Sequence, residues 1–204
     1  MSPARSAVAL AARIHARDGL QLSDPRAAAL LRDAAAALSR SEPDLPAGPS
    51  SVTDDAVLVI QLAAPEAIVG AALTVAREAR PWRTTFCAAL VPRDREPVES
   101  GLLAASAAAN LCVARIHETD PREARALLVG TPCDDIAGAL LGLLIEAHDA
   151  MTDRQRQIVA LMRESATQQA VAGHLGVSRQ AVNQSLASAG WTHLRAAEDV
   201  LRRW

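Results

Sequence analysis

The fold of the first half of the chain is decided by residues 51–62, which have the sequence SVTDDAVLVIQL. The apolar, mostly β-branched run at 57–60 is typical of a buried strand, because such side chains pack well on a pleated surface. Thr53-Asp54-Asp55, directly before that run, has the composition of a turn. The stretch therefore predicts a β-hairpin.

The segments on either side of this hairpin alternate between strand and helix signals. A small-residue strand is predicted over 6–14, and a helix begins at Asp24-Pro25, where an acidic cap precedes a proline suited to the first turn. After the hairpin we expect a helix over about 65–80 and a strand over 83–91. The order β-α-β-β-α-β is that of ferredoxin-like and palm-like domains, whose two helices cover one face of the sheet. The other face is left to a partner or to later helices.

The rest of the chain is predicted to be mostly helical. We expect an alanine-rich helix over 98–112, a short strand over 126–129 and a strongly apolar helix over 133–149. Capping residues and apolar spacing indicate only helices after residue 151. The sequence therefore predicts an α+β protein in three parts: a βαββαβ domain over 1–132, a connecting helix over 133–150 and an all-α helix-turn-helix domain over 151–204.

The composition is that of a soluble globular protein. Half of the 204 residues are apolar, 22% are charged and the formal net charge is -2. Apolar stretches fall well short of the roughly 20 residues that a membrane span needs, and the N-terminus has no secretory pattern. The three widely spaced cysteines, Cys87, Cys112 and Cys133, fit neither a disulfide framework nor a zinc site. We expect a cytoplasmic protein with no membrane partner, no metal and no cofactor.

Charge is distributed unevenly along the chain. Residues 1–150 contain 14 arginines and 19 carboxylates, whereas residues 151–204 contain seven arginines and four carboxylates. The first part is therefore acidic and the second part carries a net charge of +3. This asymmetry predicts that only the C-terminal part meets a polyanion.

Residues 168–186, QQAVAGHLGVSRQAVNQSL, resemble the helix-turn-helix of bacterial DNA-binding proteins. Ala172 is small where two short helices would touch, and Gly176 can adopt the positive φ that the turn requires. Ser178 is the expected cap of the second helix, whose first turn would point into the major groove. The ordinary alternative is a solvated amphipathic helix in a helical bundle.

Side chains suited to base contacts line the exposed face of this second helix. Arginine can pair with guanine, and glutamine or asparagine can pair with adenine. The predicted DNA contacts are Gln169, Ser178, Arg179, Gln180, Asn183 and Gln184. Arg195 and Arg202 could reach phosphates or could only solubilise the last helix. Useful specificity would need a homodimer, formed through the acidic domain or the helix at 133–149.

Taken whole, the chain resembles the SatD family of bacterial proteins, which join a degenerate nucleotide-cyclase-like domain to a C-terminal helix-turn-helix. The similarity is carried by the C-terminal third, from the helix at 133–149 through Thr152-Asp153-Arg154-Gln155 to Ala189-Gly190-Trp191. It is also carried by Val52-Thr53-Asp54-Asp55-Ala56-Val57, at the place where the family and its cyclase and GGDEF relatives have Gly-Asp-Glu-Phe or a similar turn. The resemblance implies a palm-like first domain and a DNA-binding second domain.

The residues at the strand ends predict that catalysis has been lost. Palm-type cyclases hold two metal ions between an acid at the end of the first strand and an acid in the hairpin turn. Asp54 or Asp55 could serve in the turn, but the first strand ends with Arg13 and His15, and the next carboxylate is Asp18. We interpret Arg13, His15, Asp54 and Asp55 either as a remnant site for a phosphorylated metabolite or as surface charges at a sheet edge.

These observations predict a sequence-specific protein that binds double-stranded DNA, a transcriptional regulator whose first domain dimerises or senses a ligand. Two alternatives remain. The helical domain could dock a protein instead of DNA, which would make the chain an adaptor. The first domain could be a residual nucleotide-binding enzyme.

Overall fold

The computed structural model describes residues 6–15, 24–44, 46, 48, 50–92, 98–121, 124–130, 133–164 and 167–203. The fold is mixed α/β: a five-stranded mixed sheet is formed between residues 6 and 129, and the chain from residue 134 onward is helical. Asp18, the first carboxylate after the first strand, lies outside the described residues.

The strands with predicted bounds begin where the sequence places them and end no more than two residues later. They are β1 (Ser6–His15), β2 (Ser51–Val52), β3 (Val57–Leu62), β4 (Arg83–Pro92) and β5 (Ala126–Val129), in the spatial order β2-β3-β1-β4-β5. The central strand β1 is antiparallel to both β3 and β4, and β2 is antiparallel to β3. β5 joins the far side of β4 in parallel. The first four strands therefore pair as a split β-α-β arrangement requires.

The helices also follow the predicted order. They are α1 (Asp24–Ser41), α2 (Ala67–Glu78), α3 (Val98–Glu118), α4 (Asp134–Ala150), α5 (Asp153–Arg163), α6 (Gln168–Leu175), α7 (Arg179–Ser188) and α8 (Trp191–Arg203). α3 extends six residues beyond the predicted end at Cys112. The reason is that Ile116 continues the apolar spacing of Cys112 and is fully buried with it.

Both faces of the sheet are covered by helices. Leu10 and Ile60 point to the face on which α1 and α2 pack. Ala9 and Cys87 point to the opposite face, because successive side chains of a strand alternate. That opposite face packs against α3. The sequence alone leaves open whether a partner or a later helix covers this face, and in the structure a helix of the same chain covers it.

The C-terminal helices are packed onto the sheet-forming part through one contiguous core. α4 packs against β5 and α2, and α8 packs against α4 and α2. Buried Leu141 of α4 and Leu194 of α8 belong to the same apolar cluster as Leu10 of β1. Among the described residues, no helix combines the length and the apolar character needed to cross a membrane.

Candidate nucleic-acid interface

The C-terminal segment begins with a capping box at α5. Thr152 Oγ1 accepts a hydrogen bond from the Gln155 backbone N–H at 3.2 Å, and the Thr152 N–H donates to Gln155 Oε1 at 2.8 Å. Gln155 Nε2 also donates to Ser188 Oγ at 2.9 Å, which ties the start of α5 to the end of α7. Arg154 Nη2 donates to the Leu175 carbonyl at 3.2 Å, where α6 ends. Gln155 therefore takes part both in the cap of α5 and in the contact between α5 and α7.

The first helix of the predicted motif is α6, which ends in the turn that the sequence indicates. Thr167 caps its start, accepting from the Ala170 N–H at 3.1 Å. Gly176 ends it with φ at +64°, and the Val177 N–H donates to the Ala172 carbonyl at 3.0 Å. This six-residue closure satisfies a carbonyl at the helix end and requires a left-handed residue at Gly176.

The second helix of the motif is α7, and it begins at the predicted cap. Ser178 Oγ accepts from the Ala181 N–H at 3.1 Å. Val182 and Leu186 are buried on one side of α7, where they share a core with Val171 and Ala172 of α6. The inward side of α7 is thus apolar and fixed, which holds the opposite side in a defined orientation.

The predicted base-contacting residues share one property: each is exposed. They are Gln169 on α6, the cap Ser178, and Arg179, Gln180, Asn183 and Gln184 on α7. The four predicted residues of α7 are one, two, five and six positions after Ser178, and residues at these positions lie on one side of a helix. They are Arg179, Gln180, Asn183 and Gln184. The structure therefore brings the five predicted α7 and cap residues together on one surface.

The two predicted phosphate contacts have different surroundings. Arg195 is exposed on α8. Arg202 is half exposed and pairs with two carboxylates of its own helix, with Nη2 3.6 Å from Glu198 Oε2 and Nη1 3.6 Å from Asp199 Oδ1. It also lines a cavity of about 460 Å³ that lies between α2 and the helices α5 and α8. Arg202 therefore lies where the C-terminal helices meet the sheet-forming part.

A buried ion cluster joins these two parts of the chain. Glu198 of α8 is 1% exposed and accepts from Arg163 of α5, with Arg163 Nε 3.3 Å from Oε2. Arg163 Nη2 lies 2.6 Å from Nε2 of His148, on α4. Burial raises the pKa of Glu198, but the hydrogen bonds from His148 and Arg163 outweigh burial and hold that pKa below its usual range. Burial is also the main cause that lowers the pKa of His148.

Sequence reasoning did not identify this cluster, although a signal was present. Glu198 lies four residues after Leu194 and three before Leu201, so it interrupts the apolar stripe of α8. His148 likewise continues the buried stripe of Leu141 and Leu144 on α4. A charged or titratable residue within an apolar stripe indicates a buried partner.

The second group of predicted residues lies in the sheet-forming part of the chain, on β1 and in the hairpin turn. Arg13 Nη1 is 3.3 Å from His117 Nδ1, and His117 Nε2 is 3.8 Å from Asp55 Oδ2. His117 at the end of α3 therefore joins Arg13 of β1 to Asp55 of the hairpin turn, a link that the sequence did not suggest. Asp54 is exposed in the same turn.

His15 lies on the α3 side of the sheet with Arg13, two residues along β1. In the antiparallel pairing, Arg13 lies opposite Thr85 and His15 lies opposite Arg83. Burial, with Arg13, Arg125 and Arg83 nearby, lowers the pKa of His15 to about 4. Among the described residues, the buried atoms His15 Nε2, Arg83 Nε and Thr85 Oγ1 have no hydrogen-bond partner.

The described side chains around Arg13 and His15 do not form a metal-binding group. The described residues include no group of three or more His, Cys, Asp or Glu side chains arranged to hold a metal ion.

Comparisons with protein-family models, with curated proteins and with solved structures found no match for this chain.

Proposed function

We propose that this protein is a sequence-specific DNA-binding regulator that inserts α7 into the major groove of duplex DNA. The observation that carries the proposal is the pair α6–α7. Their apolar sides are locked by Val171, Ala172, Val182 and Leu186, while the start of α7 presents an exposed arginine and three amides. Those side chains have the hydrogen-bonding groups that discriminate bases in the major groove.

The proposal also covers the rest of the chain. Residues 1–132 form a ferredoxin-like or palm-like domain, residues 133–150 the connecting helix and residues 151–204 the DNA-binding domain of a cytoplasmic homodimer of the SatD type. The net charge of +3 on residues 151–204 supports contact with a polyanion.

The experiment is selection of DNA by the purified protein. Sheared genomic DNA is incubated with the protein at about 0.1 M salt, where the screening length is about 10 Å, and the retained fragments are sequenced. We expect a few enriched fragments that share a motif. Uniform retention or no retention would contradict the proposal, and a protein partner bound in a salt-independent way would favour the adaptor.

Arg179→Ala tests the assignment of α7. We expect it to weaken binding to the selected motif by about 1–3 kcal/mol and to relax the preference at one base pair. Arg32→Ala is the matched control, because Arg32 is also an exposed arginine and lies on α1. An Arg179→Ala protein that discriminates at every position as the parent does would contradict the assignment.

We also propose that the first domain does not catalyse nucleotide chemistry. At the strand end where two-metal chemistry needs a carboxylate, β1 presents Arg13 and His15, and a cation there repels metal ions. Incubation with nucleoside triphosphates and Mn²⁺ tests this. Any product that depends on Asp54 or Asp55 would contradict it.

A second candidate function for the first domain is binding of an oxyanion such as phosphate. It is favoured by His15 Nε2, Arg83 Nε and Thr85 Oγ1, which lie on one face of the sheet and have no partner among the described residues. Buried polar groups are normally paired, so a cluster of such groups calls for a ligand or ordered water. Titration with inorganic phosphate should shift the His15 ring resonances in the parent protein, and less so in Thr85→Val. If millimolar phosphate causes no shift, the oxyanion site is contradicted, and ordered water is then the partner of these buried polar atoms.

A further inference from the structure

α4 is apolar on two sides, and the rest of the chain covers one side fully and the other only in part, where Leu140 and Ala147 pack against the core. Its inner side carries Leu141, Leu144 and Ile145, which are fully buried. Its outer side carries a second apolar row that we call the outer stripe. The outer stripe consists of Ile136, Ala139, Leu140, Leu143, Ala147 and Ala150. A helix that is apolar on both sides is typical of a helix buried on both sides.

The exposure of the outer stripe is unusual within this molecule. Among the described residues, four large apolar side chains are exposed, and two of them, Ile136 at 73% and Leu143 at 67%, belong to this stripe. They are seven residues apart and therefore lie on the same side of α4, two turns from each other. Contiguous exposed apolar surface of this kind marks an interaction site.

The inner side of α4 explains why the outer side is free to contact a partner. An added Cβ at Gly138 would lie 3.1 Å from the Ala126 carbonyl oxygen and 3.2 Å from the Leu128 nitrogen of β5. The inner side is thus seated closely on the backbone of β5, and the helix cannot rotate to bury the outer stripe within its own chain.

The two large apolar side chains of the outer stripe that are exposed, Ile136 and Leu143, lie on either side of Ala139 and Leu140. Ile136 and Leu143 lie equally far from the midpoint between Ala139 and Leu140. In an antiparallel crossing about a two-fold axis at that midpoint, Ile136 of one copy packs against Leu143 of the other, and the reverse contact also forms. Ala139 at the crossing point leaves room for a close helix approach.

The charges beside the outer stripe are self-complementary as well. A groove of about 510 Å³ runs along α4, and its charged lining consists of Arg83, Arg115, Arg125, Asp134, Asp135 and Glu146. Asp135 lies in the first turn of α4, whereas Arg83 and Arg125 bind Glu146 near its end, at 2.6 and 2.8 Å. An antiparallel two-fold contact reverses the helix direction, so the acidic start of one α4 faces the end of the other, where Arg83 is partly exposed and Arg125 is buried.

We propose that the outer stripe of α4 is the contact surface for a second copy of this chain, and that the two copies are related by a two-fold axis near Ala139. This inference deepens the proposed function and rests on it, because it locates the contact surface of the homodimer proposed there. α4 leads through Met151 and Thr152 directly into α5, so a two-fold axis at α4 fixes the separation of the two α7 helices. The preferred DNA is then an inverted repeat.

The test is sedimentation velocity of the full chain without DNA. We expect the parent to dimerise at micromolar concentration, and Ile136→Gln/Leu143→Gln to raise the dimer dissociation constant at least tenfold. Val200→Gln is the matched control, because Val200 is an exposed apolar residue on α8, outside the outer stripe. A parent that stays monomeric at 100 µM, or a double variant that dimerises as the parent does, would overturn the proposal.

Cross-linking locates the axis independently of any loss of folding. In a Cys133→Ser background, which removes the exposed cysteine, Ala139→Cys should form a disulfide-linked dimer under mild oxidation, and Val200→Cys should not. Equal cross-linking at both positions would overturn the placement. The two failures are distinguishable: a parent that dimerises through the outer stripe but enriches no DNA fragments contradicts DNA binding alone, and a parent that enriches fragments but dimerises unchanged in the double variant contradicts the contact surface alone.

Discussion

At the scale of single residues, Gly173 and Gly176 show that neighbouring glycines can have opposite effects on stability. Gly173 lies inside α6, where an added Cβ would meet nothing within 4 Å. Gly176 also has open space around it, but its φ is +64°, a conformation that costs an L-residue roughly 1–2 kcal/mol. Backbone conformation, and not room for a side chain, distinguishes the two positions.

The two alanine substitutions should therefore change the free energy of unfolding in opposite directions. Gly176→Ala is expected to lower it by about 1 kcal/mol through strain at the turn. Gly173→Ala is expected to raise it by about 0.5–1 kcal/mol, because alanine loses less backbone entropy in a helix. Urea unfolding monitored by circular dichroism measures both. Equal effects of the two changes would show that the turn can be made without a left-handed residue.

His15 should make the stability of the fold depend on pH. Histidine in the unfolded chain takes up a proton near its ordinary pKa of 6.5, whereas burial and the nearby Arg13, Arg125 and Arg83 lower the pKa of His15 to about 4. Between these values the unfolded chain binds more protons, so the free energy of unfolding falls as the pH is lowered through that window. Asp120 opposes this shift without cancelling it.

His15→Gln is expected to flatten the decrease in stability between pH 6.5 and pH 4. The readout is the slope of the unfolding free energy against pH, which a general loss of packing would not change. His193→Gln, a substitution at an exposed histidine of α8, is the control. The same slope in His15→Gln as in the parent would place the proton uptake elsewhere, for example at His148, whose pKa is also lowered by burial.

At the scale of elements, the contact between α4 and β5 depends on two glycines that are four residues apart. A Cβ at Gly138 would lie 3.1–3.3 Å from three backbone atoms of β5, whereas a Cβ at Gly142 would lie 3.5 Å or more from its neighbours. Backbone atoms in a paired strand cannot move aside as the end of a side chain can. The helix therefore fits tightly at one glycine and with ordinary contact at the other.

Gly138→Ala should lower the free energy of unfolding by about 1–3 kcal/mol, the usual cost of overpacking. Gly142→Ala should leave it unchanged or raise it by up to about 1 kcal/mol through helix propensity. Thermal and urea unfolding of the two variants provide the comparison. A stabilised Gly138→Ala protein would show that β5 yields at this point.

The elements that the sequence predicts well are those defined by local signals. Asp24-Pro25, Thr152 with Gln155, and Ser178 mark helix starts that lie within one residue of the structure, because a cap acts on N–H groups two or three residues away. The placement of α3 over the second face of the sheet depends on contacts between residues about 100 positions apart, such as Cys112 Sγ with the Ala9 carbonyl. Such contacts leave no periodic signal in the chain.

The same distinction applies to the candidate sites. Arg179, Gln180, Asn183 and Gln184 could be assigned because one helix places them together. The link from Arg13 through His117 to Asp55 joins β1, α3 and a hairpin turn, and the Arg163–Glu198–His148 cluster joins three helices. Residues brought together by tertiary packing cannot be grouped from spacing alone.

At the scale of the whole molecule, the C-terminal helices and the sheet behave as one packed body. Leu194 and Leu201 of α8 share an apolar cluster with residues of α2 and α4. Glu198, buried between Arg163 and His148, would lose its partners if the C-terminal helices separated from α4, and an unpaired buried charge is costly. Separation of the two parts would therefore expose both apolar surface and an ion cluster.

This packing leads us to expect a single cooperative unfolding transition. The chain has no tyrosine and three tryptophans, of which Trp82 lies beside Arg26 of α1, Trp191 lies beside Arg163 of α5 and Trp204 lies outside the described residues. Variants that retain only Trp82 or only Trp191 report on the two parts separately. In each variant, the urea midpoints from fluorescence and from circular dichroism should coincide. A lower midpoint for Trp191 fluorescence than for circular dichroism would show that the C-terminal helices unfold first, and that the shared core contributes little to holding them.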